Sequence, residues 1–133
     1  MQAFNDTRQR FLAGRGNVAA QFWARLHGLI GRSSLEFGEG LLLIGTRGIH
    51  TIGMRFAIDV LFLGEGGQII HLIHALKPFR ISPFIQNSAM VLELPAGTLG
   101  ATGTQVGDWI EITVTDRVKS SGERVWTKME ELE

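Results

Sequence analysis

The sequence predicts an α+β domain: a mostly antiparallel, twisted or partly closed β-barrel-like sheet, with one main helix packed on it and short helical turns. Three observations predict it. From Gly38 onward the chain is a series of short apolar runs cut by glycines, each of strand length and bounded by turn residues. Ahead of them lies one stretch whose apolar residues fall at helical spacing. Near the end, Ile110, Ile112 and Val114 alternate with Glu111, Thr113 and Thr115, as a strand with one wet face requires.

Taken in order, residues 8–13 form the first predicted strand, ended by Gly14-Arg15-Gly16. Asn17 is placed to cap a helix over residues 18–30, because its side-chain oxygen accepts from the first free N–H groups. Ala19, Phe22, Trp23, Leu26 and Ile30 share one face of that helix, and Gly31 suits a left-handed stop. Strands follow at 41–44, 49–53, 56–63, 68–76, 89–94 and 109–115. Gly64-Glu65-Gly66-Gly67 reads as a hairpin turn, since glycine accepts positive φ. Ile69, Leu72, Ile73 and Leu76 also match helical spacing, but the run is short, rich in Ile and enters directly from the glycine turn, which favours a strand. Lys77-Pro78 ends it, because proline cannot donate to a ladder.

The glycine-rich stretch over residues 97–107 lacks the lysine of a phosphate-binding loop and the G-x-G-x-x-G spacing. It reads as a short helical turn capped by Thr98, stopped at Gly103 and followed by a Val106-Gly107-Asp108 turn. Residues 116–133 form a polar tail, much of it expected to be mobile, with Trp126 and Met129 able to dock back. With no repeat or linker, the 133 residues make one domain with its core over 8–115.

Hydrophobic residues at 44% and charged residues at 20% place the chain among folded proteins. Thirteen basic residues balance thirteen acidic ones, so no overall field attracts nucleic acid or a membrane, and neither is an expected partner. The chain has no cysteine, which excludes thiolate ligands and thiol nucleophiles. The apolar runs are too short to span a bilayer, and a soluble cytoplasmic protein is expected.

The residues that point to chemistry lie in two strands apolar on both faces. Asp59 sits in Ala57-Ile58-Asp59-Val60-Leu61, and Glu93 in Val91-Leu92-Glu93-Leu94. A buried carboxylate needs donors or a cation, and burial raises its pKa toward acid–base use. Arg55 shares the parity of Asp59 but lies about 13 Å away along an extended strand, so each is expected to meet a neighbouring strand. His50, Met54, Arg55, Lys77 and Arg80 complete the candidate binding set with Asp59 and Glu93. A metal site is not expected, since His71 and His74 point to opposite faces of a strand; no cofactor is expected either. No serine lies in a nucleophile elbow.

Across residues 10–112, the motifs GLIGR, GEGLLL, IHTIGMRFAIDVLFL, LKPFRISP, VLELPAGT and VGD occur together and in order. In these the chain resembles the domain of unknown function 192 family of bacteria and archaea. The resemblance implies a small, mainly β domain with flanking helices and supplies no activity. Its motif positions that would line a shared site are His50, Met54, Arg55, Asp59, Lys77, Arg80 and Glu93. Thr46, Ala57 and Phe79 stand where the family often has Cys, Pro and Trp, which argues against a required thiol and reduces an aromatic platform. The expected role is a small non-catalytic binding or interaction module for a polar ligand, peptide or protein. The alternatives are a hydrolase or lyase using Asp59 or Glu93 with His50, and a purely structural role for these groups.

Overall fold

Runs such as Leu41-Leu42-Leu43 and Ile58-Asp59-Val60-Leu61-Phe62-Leu63 carry apolar side chains at both parities, so they need cover on both faces of a sheet. The computed structural model, which describes residues 1–19, 29, 31–118, 120–122 and 124–129, gives them that cover. In chain order the strands are β1 (Gln2–Asn5), β2 (Arg10–Ala19), β3 (Gly38–Ile44), β4 (Ile58–Leu63), β5 (Ile69–Leu76), β6 (Met90–Pro95), β7 (Ile110–Val118) and β8 (Arg124–Lys128). A short helix, α1 (Thr98–Thr102), lies between β6 and β7. All eight strands join one mixed sheet in the order β5-β4-β6-β3-β2-β1-β7-β8. Among the described residues, only β2 and β3 pair in parallel.

Alternation along the central strands divides the core in two. Leu42, Leu61, Leu63, Leu92 and Leu94 pack with Leu99, Ile110 and Ile112 on one side. Leu41, Leu43, Ile58, Val60, Phe62 and Val91 pack together on the other. Every residue of β4 is buried, which is why its sequence reads as a nearly continuous apolar run rather than an alternating one.

Among the described residues the sheet does not close into a barrel. A single bridge, Gln68 to Trp109, ties the start of β5 to the residues ahead of β7, while β5 and β8 remain at the two ends of the strand order. The predicted strands at 41–44, 56–63, 68–76, 89–94 and 109–115 correspond to β3 to β7, and the strand reading of β5 holds over the helical one. The 3₁₀ turn at Glu65–Gly67 joins β4 and β5 as a hairpin.

Other expectations fail for identifiable reasons. Residues 2–5 form a strand because β1 inserts between β2 and β7. Gly14 and Gly16 do not break β2; a Cβ at Gly16 would collide with the Gly40 carbonyl, so glycine here permits close approach of parallel strands. Asn17 and Val18 lie in β2 rather than at a helix start, and residues 20–28 and 30 of the predicted main helix lie outside the described residues. Residues 49–53 make one bridge, His50 to Ile81, and otherwise form a loop. The predicted tail contributes the end of β7 and all of β8, with Met129 packed on the core and Trp126 exposed. Among the described residues, no helix is long and apolar enough to cross a membrane.

The hairpin turn depends on Gly67, whose φ is +94° and whose Cβ would strike the Ile110 carbonyl. Gly67→Ala is expected to lower stability by about 2–3 kcal/mol, whereas Gly100→Ala, where a Cβ meets nothing, leaves the melting temperature nearly unchanged. Thermal unfolding of both variants checks the contrast.

Candidate functional site

A carboxylate on a fully buried strand must be met by donors, and Asp59 is met by three. Its Oδ1 accepts from the Ala75 N–H at 2.9 Å, and its Oδ2 accepts from the N–H groups of Gly97 at 3.1 Å and Leu99 at 2.8 Å. Such charge-assisted bonds offset the desolvation of the group. They also explain the start of α1. The sequence points to Thr98 as the cap, but the residue ahead of the helix is Gly97, in the left-handed region at φ 96°. The Thr98 hydroxyl is buried without a partner. The cap comes instead from β4, across the fold.

Glu93 lies on the other side of the sheet. The register pairs Asp59 with Leu94 and Val60 with Glu93, and paired residues share a face. Glu93 therefore points with Val60 and Leu41, whereas Asp59 points with Leu61 and Leu94. The Glu93 carboxyl has no hydrogen bond or ion pair among the described residues, and burial pushes its pKa up to about 8. It is a neutral acid at pH 7, set in an apolar layer. The two carboxylates that the sequence offers as acid–base candidates are thus on opposite faces of the sheet.

The remaining candidates gather on two loops. Residues 47–54 run antiparallel to residues 77–85 and are stitched to them by backbone bonds. The Thr51 N–H donates to the Arg80 carbonyl at 2.8 Å, the Phe79 N–H to the Thr51 carbonyl at 3.0 Å, and the Ser82 N–H to the Ile49 carbonyl at 2.9 Å. Thr51 is the centre of this seam: its buried hydroxyl donates to the Lys77 carbonyl at 2.6 Å and accepts from the Arg80 N–H at 2.9 Å. Met54 is buried in the apolar cluster beneath, so it supports the loops and does not line a site.

His50, Arg55, Lys77 and Arg80 are exposed, and His50 is oriented by the Ile52 N–H donating to its Nδ1 at 3.2 Å. The sequence reading missed Arg47, Ile52, Ile81 and Phe84, which are also exposed here. Their signal was present: residues 45–57 and 77–88 contain no acidic residue. Phe79 holds φ 59°, a left-handed conformation that costs an aromatic residue about 1–2 kcal/mol, with its ring 65% exposed. At one end of the loop pair, an open cleft of about 1010 Å³ is lined by Arg47, Phe84, Gln86 and Asn87, with Glu65 and Gln68 on its far wall.

A further carboxylate escaped the sequence reading. Burial alone would raise the Asp108 carboxyl, but hydrogen bonds from Arg8, Asn5 and the Gln105 N–H, with the charge of Arg8, hold it below the usual range. It joins β1 to the turn before β7 and is structural. Among the described residues, no three His, Asp or Glu side chains gather to hold a metal ion.

Comparison with known proteins gives a family and a fold and names no activity. The model of the DUF192 family, described as an uncharacterised ACR, matches residues 4–112. A UPF0127 protein of Pyrococcus furiosus is 32% identical over 110 residues, covering 80% of this chain and 94% of that protein. A protein of unknown function from Novosphingobium aromaticivorans has a similar structure, with TM-score 0.73 and 18% identity over 84% of this chain and 82% of its own. A candidate transcription regulator from Sinorhizobium meliloti superposes with TM-score 0.70 and 24% identity, over 83% of this chain and 89% of its own. At those identities the two structures establish the fold alone.

Two substitutions separate the carboxylates. An acid whose folded-state pKa lies above its ordinary 4.5 binds more protons when folded, so stability falls as pH rises from about 4.5 to about 8. Glu93→Gln is expected to abolish that fall, which reaches on the order of 5 kcal/mol; denaturant titrations across the pH range check it. Asp59→Asn leaves an amide group facing three N–H donors and is expected to cost about 3 kcal/mol, read as a lower melting temperature.

Proposed function

The chain belongs to the DUF192 family, and from that premise we propose that it is a small non-catalytic binding module that recognises an acidic segment of a protein partner. The observation that carries this reading is the seam between residues 47–54 and 77–85: a rigid, hydrogen-bonded loop pair presenting cations and exposed apolar side chains with no acidic neighbour in either loop. Rigid presentation lowers the ordering cost of association. Arg47, Arg55, Lys77 and Arg80 have no carboxylate partner among the described residues, so their charge is available for a ligand. Ile52, Phe79, Ile81 and Phe84, all exposed, add apolar contact between the charges, the composition expected of a recognition surface.

An acid–base enzyme built on Asp59 and Glu93 together has no support from this arrangement, because the two groups lie on opposite faces of the sheet and Asp59 is engaged by three backbone donors. The description of the Sinorhizobium neighbour raises nucleic acid as a competitor for the same cations. Against it, basic and acidic residues balance at thirteen each, whereas nucleic-acid binding domains carry a basic excess.

Titration of the ¹⁵N-labelled protein with a polyglutamate peptide tests the proposal. Shifts are expected to concentrate in residues 47–55 and 77–84 and to fade at about 0.5 M salt. The Arg55→Ala, Arg80→Ala double variant is expected to bind about tenfold more weakly with an unchanged melting temperature. Shifts scattered over the surface, affinity unaltered by the double variant, or tighter binding of a DNA duplex at the same salt contradicts it.

A further inference from the structure

An exposed tryptophan is ordinary when it is loose, but Trp109 is held from several sides. Its N–H donates to the Thr7 hydroxyl at 2.9 Å, and its carbonyl accepts from the Asp6 N–H at 2.9 Å. It bridges to Gln68, and its indole lies against Gly66, where a Cβ would come within 3.5 Å of Cζ3. These bonds anchor the Trp109 backbone while 47% of the residue is exposed, so a large apolar ring stands on an anchored backbone with much of its surface open. The ring borders a cleft of about 640 Å³ between the β4–β5 turn, the start of β7 and the end of β8. Ligand pockets for small molecules fall in this size range.

The lining sets the chemistry of the occupant. Met90 and Met129 provide apolar floor, and Asp6, Thr7, Glu111 and Lys128 provide polar groups. Glu111 and Lys128 approach to 3.5 Å across the β7–β8 pair, which places an acceptor and a donor side by side. Two acids and one base line the cleft, so it repels phosphate and carboxylate ligands, the opposite preference to the basic loop pair. An open indole face flanked by charged hydrogen-bonding groups fits a neutral ring that is apolar on one face and carries hydroxyls around its edge. We propose that this cleft binds a neutral oligosaccharide, with one pyranose ring stacked on Trp109 and its hydroxyls bonded to Glu111, Lys128 and Thr7.

The site is independent of the loop pair, and the test keeps them apart. The ¹⁵N-labelled protein is titrated with maltotriose, cellotriose, mannotriose and triacetylchitotriose, observing the Trp109 indole N–H and the amides of Thr7 and Glu111. A saturable shift of these signals with at least one trisaccharide is expected, about tenfold weaker in Trp109→Ala and unchanged in Arg55→Ala, Arg80→Ala. Glu111→Gln, which leaves the ring in place, is expected to weaken binding roughly fivefold and covers the case in which Trp109→Ala does not fold. No shift with any of these sugars at about 10 mM, or binding that persists equally in Trp109→Ala and Glu111→Gln, overturns the proposal.

Discussion

The arrangement depends on one buried carboxylate. Asp59 lies in β4, all of whose residues are buried, and gathers N–H groups from the end of β5 and from the start of α1. Without it, the first N–H groups of a five-residue helix would lack an acceptor, and Ala75, at φ 48°, would lose the bond that compensates its backbone strain. A charge in an apolar strand is expensive, and here the cost is met by organising three segments that no local sequence signal would hold together. The turn after β6 and the bend that leads β5 toward Lys77-Pro78 are both set by the same side chain.

That constraint bears on function by elimination and by placement. Asp59 is engaged by three backbone N–H groups, and Glu93, one residue out of phase across the ladder, faces the opposite apolar layer. Neither offers a reacting group to a shared cleft. By fixing the end of β5, however, Asp59 fixes where the loop at 77–85 begins, and Thr51 then clips residues 47–54 against it. The exposed cations and rings of these loops thus stand on a hydrogen-bonded base, the support that the proposed recognition surface would need.

Much of this was legible in the sequence. The apolar runs with strand length gave β3 to β7, and the position of Asp59 and Glu93 within such runs announced that both would be buried. Parity along each strand was legible too, but the register between β4 and β6 was not, and a one-residue difference in register decides whether the two acids meet or part. The helix cap was misread for a related reason: Thr98 is a good local cap, and only tertiary structure brings Asp59 to the same N–H groups. Strand β1 was missed because residues 2–5 are short and weakly patterned, and β8 because its mixed charge reads as a tail. The alternation that identified β7 also put Trp109 on the wet face with Glu111, a signal of the cleft that attention to the buried acids passed over.

Native-state hydrogen exchange of the Ala75, Gly97 and Leu99 amides tests the central role of Asp59 most directly. One proton comes from the end of β5 and two from the start of α1, segments brought together by that carboxylate. They are expected to exchange together, as slowly as the amides of β4 and β6, through global unfolding alone. Exchange of any of the three that is orders of magnitude faster than in those strands, or at rates unrelated to one another, would contradict the account.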